Sequence, residues 1–277
     1  MRKTSSESKT RIITGIVIAV IICAVLLFSH IPAVLSGAVV LLNVLAVYEI
    51  FQAAHMVQER ALFWAAIIGA VVISLIPIPH YENVLIYVFI LSVLIFFRIM
   101  RRCGRCILDV PVRLCGICFL VVMLFRSIPA VRNQQYGFYC LIVAVISCCV
   151  TDIMAYLTGK AFGKHKLCPK ISPNKTVEGS IGGIVGAVAV ILLLGLPLEK
   201  VASLRINFPM LTIYAVSSSV IGQFGDLAMS AVKRCFGVKD FGSIFPGHGG
   251  ILDRFDSLLF IAPFTCLFCR YFAAFFI

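Results

Sequence analysis

Nine apolar runs follow one another along this chain, separated by short polar segments. They fall at about 12–29, 31–51, 62–79, 84–98, 107–125, 137–157, 180–198, 208–228 and 251–277. Several approach or exceed the roughly 18 apolar residues that mark a spanning helix. Of the 277 residues, 61% are hydrophobic and only 13% are charged. A soluble domain sits nearer half apolar and a quarter charged. In lipid the backbone must close its own hydrogen bonds, so the runs predict helices. The reading is an all-α polytopic membrane protein with about nine transmembrane helices, forming a single integral-membrane domain over residues 1–277. The fourth run is short enough to be tilted or partly buried. The first, Ile12 to Phe28, follows a basic head as a signal peptide would, but no small-residue cleavage site follows it. It is read as the first span.

Charge gives the topology. The segment Met1–Arg11 carries four Lys/Arg, as does Arg98–Arg105. Lys160, Lys164, Lys166, Lys170 and Lys175 fall in Thr158–Gly179, and Lys233, Arg234 and Lys239 in Met229–Gly250. Nine spans with a cytoplasmic N-terminus put all four segments on one side, as the positive-inside rule requires. The loops Pro79–Asn83 and Leu198–Asn207 are poorer in cations. The net charge of +12 is thus a membrane signature, and such loops attract anionic headgroups and phosphates. It does not point to nucleic acid, because no base-stacking or groove-reading motif accompanies it.

Twelve cysteines include three CxxC pairs: Cys103/Cys106, Cys115/Cys118 and Cys266/Cys269. Only the first sits in a polar segment. A zinc site wants two such pairs in a polar knuckle. In apolar runs Cys behaves as a small hydrophobe, and packing is the expected role.

Against this background the stretch Ser230–Ser257 stands out, because charge near a membrane span is a functional signal. Asp152, Asp226, Asp253 and Asp256 all fall near predicted helix ends on the cytoplasmic side. A spacing of three puts Asp253 and Asp256 on one helix face. Clustered carboxylates repel unless a cation lies between them. Oxygen ligands of this kind suit Mg²⁺, which completes its shell with water and substrate phosphates. First-turn capping, with Arg254 as counter-ion, is the plainer alternative for Asp253 and Asp256. Lys233, Arg234, Lys239 and His248 surround them, followed by Gly249-Gly250. A Gly-rich turn into a helix lets phosphate oxygens approach backbone N–H groups. A second constellation is Ser172-Pro173-Asn174-Lys175-Thr176-Val177-Glu178-Gly179. Ser172 and Thr176 can cap the seventh span and Glu178 suits its first turn; Lys175 and the hydroxyls equally suit nucleotide phosphates. The small residues Gly179, Gly182, Gly183 and Gly186 form a close-packing face.

These segments carry a resemblance. Ser230, Lys233, Arg234, Lys239, Asp240, Gly242, Pro246, His248, Gly249, Gly250, Asp253, Arg254 and Asp256 fill every position of a signature. It reads Ser-x-x-Lys-Arg, four residues, Lys-Asp-x-Gly, then Pro-x-His-Gly-Gly-x-x-Asp-Arg-x-Asp, and it resembles that of the phosphatidate cytidylyltransferase (CDP-diacylglycerol synthase) family. Ser172–Gly179 resembles the family's Ser-Pro-Lys-Lys-Thr-x-Glu-Gly segment, departing at Asn174. Asp152–Lys160 resembles its Asp-x-x-Ala-Tyr-x-x-Gly-Arg segment, with Lys160 for Arg. The match divides the chain into residues 1–136, alike only in being hydrophobic, and a catalytic half, 137–277.

The resemblance implies phospholipid biosynthesis: CTP plus phosphatidate giving CDP-diacylglycerol plus pyrophosphate. It implies Mg²⁺ on Asp226, Asp253 and Asp256, with K⁺ as a companion ion. Asp152, Ser172, Asn174, Lys175, Thr176 and Glu178 are then expected around CTP. Lys233, Arg234, Lys239, His248 and Arg254 are expected around the phosphates or the lipid headgroup. A homodimer is consistent with the family. The compact length looks bacterial, which suggests the plasma membrane with the site on the cytoplasmic face. Two alternatives remain at this level. One is a cytidylyl- or phosphotransferase for another lipid phosphate, such as a polyprenyl phosphate. The other is an ion-coupled transporter, although neither repeat symmetry nor broken mid-membrane helices are visible.

Overall fold

The computed structural model describes residues 5–76, 81–101, 110–201, 205–245 and 249–272. Each apolar run overlaps a helix. The first five long helices are α1 (Ser5–Leu27), α2 (Pro32–Ala53), α3 (Arg60–Leu75), α4 (Tyr81–Arg101) and α5 (Val110–Phe125). A short α6 (Ser127–Arg132) leads to α7 (Gly137–Phe162). A hairpin of β1 (Lys166–Cys168) and β2 (Ser172–Thr176) precedes α8 (Val177–Val201) and α9 (Phe208–Cys235). A single turn, α10 (Leu252–Phe255), then leads into α11 (Leu258–Tyr271).

Among the described residues five helical stretches are long and apolar enough to cross a membrane: Ile13–His30, Pro32–Ala53, Val110–Arg132, Gly137–Phe162 and Val177–Lys200. Arg60–Leu75, Val84–Phe97 and Leu258–Tyr271 are shorter apolar helices. The expected span 208–228 lies on α9, where Ser217, Ser218, Ser219, Gln223 and Asp226 dilute the apolar character. The protein is an all-α, multi-pass membrane protein. Large apolar side chains such as Trp64, Ile181, Val185 and Leu193 face outward, which is costly in water and favourable in lipid.

Inside, aromatic and aliphatic groups fill two main clusters. Phe51, Phe96, Leu114, Phe125 and Phe260 join α2, α4, α5 and α11 around the C-terminal half of α9. Tyr214, Ile191, Leu211 and Phe268 join α8, α9 and α11. The expected small-residue face of α8 lies on α7. A Cβ added at Gly182 would strike the side chain of Thr158, and one at Gly186 would strike Met154. Without side chains there, the two backbones approach closely, as small-residue faces allow in membranes. The Arg126 guanidinium donates to the carbonyls of Ile73 and Ile76, supplying positive charge where α3 ends.

Three boundaries differ from the sequence expectation. First, α7 and α9 run on to Phe162 and Cys235, because polar and charged residues continue a helix once it leaves the apolar layer. Asp152 and Asp226 are therefore inside their helices, on the order of 15 Å from the ends at 1.5 Å per residue. Second, Ser172 is not a cap but part of β2, which pairs antiparallel with β1 through Lys166↔Thr176 and Cys168↔Ser172. Thr176 does cap α8, its Oγ1 accepting the Gly179 N–H at 3.1 Å. Third, the last run opens with a separate turn. Backbone angles stay helical through Asp256 and Ser257, but the Ser257 N–H donates to the Asp256 side chain at 2.8 Å.

None of the described cysteines is in a disulfide. Cys115 and Cys118 ride on α5, and Cys266 and Cys269 on α11, as packing residues would. The pair Cys103/Cys106 lies outside the described residues.

Candidate active site

Four segments converge on one cavity of about 750 Å³, within the range of ligand pockets. Asp152 and Tyr156 come from α7, and Ser172, Asn174, Lys175 and Thr176 from β2. Asp226 and Lys233 come from α9, and Asp253, Arg254 and Asp256 from the turn before α11. Sequence separates these groups by up to a hundred residues. The fold gathers them because α7 and α9 run in the same direction, while the hairpin folds back over their charged ends.

The electrostatics are dense. Asp226 repels both Asp152 and Asp256, and Asp152 also repels Asp256. Lys175 and Lys233 offset that repulsion. The Lys175 ammonium reaches in from β2 and contacts Asp226 Oδ2 directly. Ser257 Oγ and Ser230 Oγ stand 3.5 Å from Asp152 Oδ2 and Asp226 Oδ1 respectively. Among the described residues no three His, Cys, Asp or Glu side chains come close enough to hold one ion by themselves. The donor set nevertheless fits Mg²⁺, which takes one or two carboxylates and fills its shell with water and phosphate oxygens. The Lys175 ammonium marks where positive charge is needed.

Asp253 is placed differently from Asp226 and Asp256. Its Oδ1 accepts from Lys233 Nζ at 2.7 Å, and its Oδ2 accepts the N–H groups of Phe241 and Gly250, each at 3.0 Å. The carboxylate is thus already engaged in holding the loop closed. Other expected residues sit outside the cavity lining. Arg234 donates from Nη1 to the Val238 carbonyl at 2.8 Å and from Nε to the Ile171 carbonyl at 3.3 Å. Glu178 accepts from the backbone of Lys164 and His165 and pairs with His165 Nδ1 at 2.6 Å, tying the hairpin to α8. Lys239 is absent from the lining, and His248 lies outside the described residues.

Beneath the carboxylates the helices are joined by polar groups. Ser147 and Ser218 hydroxyls meet at 2.7 Å, and Thr151 donates to Ser219 at 3.0 Å. Gln223 bonds Ser180 across from α9 to α8, its Nε2 donating to the Ser180 carbonyl at 3.2 Å. Sequence reading passed over these groups, and over Glu49 on α2. Glu49 is fully buried and accepts the N–H groups of Ile251 and Leu252 at 2.7 and 2.8 Å. A signal was present: it is a carboxylate inside the apolar run 31–51, and such residues are rarely idle.

The chain is similar to known proteins over almost its whole length. The model of the cytidylyltransferase family matches residues 9–272. The chain belongs to that family. Cytidylyltransferases are nucleotidyl-transferring enzymes, and a cavity that interleaves carboxylates with ammonium groups suits such chemistry. The phosphatidate cytidylyltransferase of Bacillus subtilis (strain 168) is 34% identical over 269 residues, covering 93% of this chain and 96% of its own. Those of Staphylococcus aureus (strain COL) and Staphylococcus epidermidis (strain ATCC 12228 / FDA PCI 1200) are 33% and 32% identical. Each covers 92% of this chain and 96% of its own length. The family match thus reaches into the N-terminal helices, which the signature motifs alone had left out.

Proposed function

We propose that this cytidylyltransferase transfers the cytidylyl group of CTP to phosphatidate, giving CDP-diacylglycerol and pyrophosphate. The observation that carries the reading is Lys175 lying against Asp226 in a cavity shared with Asp152, Asp256 and Lys233. Cation and carboxylate alternate there, as a site for two polyanions requires. The names of the Bacillus and Staphylococcus relatives add the lipid substrate.

The phosphatidate phosphate is already an oxyanion, so no strong general base is needed. One of its oxygens forms a bond to the α-phosphorus of CTP. The bond from that phosphorus to the pyrophosphate oxygen breaks, and the electron pair leaves with pyrophosphate. What the protein must do is bring the two anions together and offset the charge on the leaving group. Lys175, with Ser172, Asn174 and Thr176 beside it, takes the nucleotide phosphates at the entrance to α8. Lys233 and Arg254, from α9 and the turn before α11, compensate the acceptor phosphate and the carboxylates. Asp226 and Asp256, next to Asp152, would hold Mg²⁺. Bound there, the ion would supply neutralisation of phosphate charge and polarisation of the phosphoryl group. Asp253 keeps Lys233 and the loop in place. Positioning of this kind supplies much of the rate in reactions that lack covalent catalysis.

The acyl chains enter sideways between helices, because drawing them into water would cost about 0.8 kcal/mol per CH₂. The hairpin and its flanks carry Lys160, Lys164, Lys166 and Lys170, and by the positive-inside rule this supports a cavity mouth on the cytoplasmic face of the bacterial plasma membrane.

The test is transfer of label from α-³²P CTP to lipid in detergent. With phosphatidate as acceptor, the label should become lipid-soluble in the presence of Mg²⁺. Label passing to polyprenyl phosphate and not to phosphatidate would overturn the acceptor, and no transfer to either would overturn the reaction.

A further inference from the structure

Glu49 is the point at which the N-terminal helices meet the signature loop. Burying a carboxylate in an apolar layer is costly unless donors satisfy it. Two backbone donors do so. The Ile251 N–H reaches Oε1 at 2.7 Å and the Leu252 N–H reaches Oε2 at 2.8 Å. Both lie where the chain enters α10, immediately before Asp253, Arg254 and Asp256. Two glycines of the signature make the approach possible. A Cβ on Gly242 would lie 2.8 Å from Glu49 Oε1, and one on Gly250 would lie 2.6 Å from the same oxygen. No side chain larger than hydrogen fits either place without moving the carboxylate. The Gly250 N–H is held from the other side by Asp253 at 3.0 Å. The turn is therefore gripped by two carboxylates, one from α2 and one from its own sequence.

We propose that Glu49 is a positioning residue for cytidylyl transfer. It fixes the entry to α10 so that Arg254 and Asp256 keep their places in the cavity, and it accounts for glycine at both 242 and 250. The inference rests on the transfer reaction proposed above. Glu49 touches no substrate; its effect passes through the backbone it holds. The nucleotide side of the cavity, built on β2 and the start of α8, is out of its reach.

The variant Glu49→Gln tests this, because it keeps the side-chain size and leaves only one oxygen for two donors. Turnover per folded molecule should fall about 100-fold, as a misplacement near 1 Å does, while the KM for CTP hardly changes. Hydrogen exchange at the Ile251 and Leu252 amides should accelerate. Glu49→Asp, which keeps both oxygens, should recover part of the turnover. Should Glu49→Gln fail to fold, Gly250→Ala perturbs the same contact from the loop. It should lower kcat, and lower it less in a Glu49→Ala background, where the clash is gone. Unchanged kcat in Glu49→Gln, or a loss carried wholly by the CTP KM, overturns the positioning role. Unchanged exchange at both amides overturns the grip itself, whatever the reaction. A wild-type protein that transfers no label from CTP, while the two amides still respond to Glu49→Gln, overturns the reaction and with it the catalytic part of the inference, leaving the grip standing.

Discussion

Lys233 on α9 and Asp253 before α11 form an ion pair of 2.7 Å whose side chains are only 10% and 3% exposed. Removing one partner of such a pair leaves the other charged and buried, which costs about 3–5 kcal/mol. Lys233→Met and Asp253→Asn should each lower the thermal stability of the detergent-solubilised protein, and each should reduce CDP-diacylglycerol formation to background. The double variant Lys233→Met/Asp253→Asn, whose amide oxygen can still accept from Phe241 and Gly250, should melt higher than either single variant and still be inactive. A double variant that melts lower than both would show that the pair is not the source of the cost.

Asp226 and Asp256 lie nearest the centre of carboxylate repulsion, so their loss should be read in the metal. Asp226→Asn and Asp256→Asn are expected to raise the Mg²⁺ concentration for half-maximal turnover by about tenfold or more, a difference of about 1.4 kcal/mol. Magnesium titration at saturating CTP measures it. An unchanged requirement in both variants would move the ion elsewhere.

Lys175 reaches the carboxylates from β2 and is the cation proposed to meet the nucleotide. A charged hydrogen bond contributes about 1.5–3 kcal/mol. Lys175→Met should therefore raise the KM for CTP by about tenfold or more and leave the KM for phosphatidate near its original value. An effect on the lipid alone would reverse the assignment of Lys175 to the nucleotide.

The α7–α8 contact depends on the absence of side chains. Gly182→Val would drive its β-carbon into Thr158, an overpacking of about 1–3 kcal/mol. A lower melting temperature is expected, with the helix content of the folded protein unchanged. A variant as stable as the parent would mean that the two helices can part at little cost.

The helices could be read from the chain because lipid forces period and length into the sequence. Asp152, Asp226 and Asp256 were also legible, since carboxylates beside apolar runs have few ordinary explanations. The small-residue face of α8 met α7 as its spacing implied. What the linear pattern could not convey was division of labour among similar groups. Asp253 and Asp256 share a spacing of three, yet one is occupied by Lys233 and two N–H groups while the other faces Asp226. Arg234 and Glu178 lie within motifs but are consumed by carbonyls and by the 164–165 backbone. Glu49 was harder still. Its partners lie 202 and 203 positions away, a separation no local pattern encodes.

The hydroxyl pairs Ser147–Ser218 and Thr151–Ser219 bear on the cell's energy supply. A membrane protein that collects so much charge on one side risks becoming a wire for protons or cations. Directly below Asp152 and Asp226 the polar groups are neutral, short and satisfied by one another, and apolar packing around Ala144 and Tyr214 follows. In that direction residues 137–151 of α7, 208–225 of α9 and 258–269 of α11 carry no charged side chain. Such an arrangement is expected to insulate, so that lipid chemistry can proceed at the bilayer without discharging the gradient across it. Proteoliposomes containing the protein should hold a pH gradient as long as protein-free vesicles do, and a faster decay would contradict the seal.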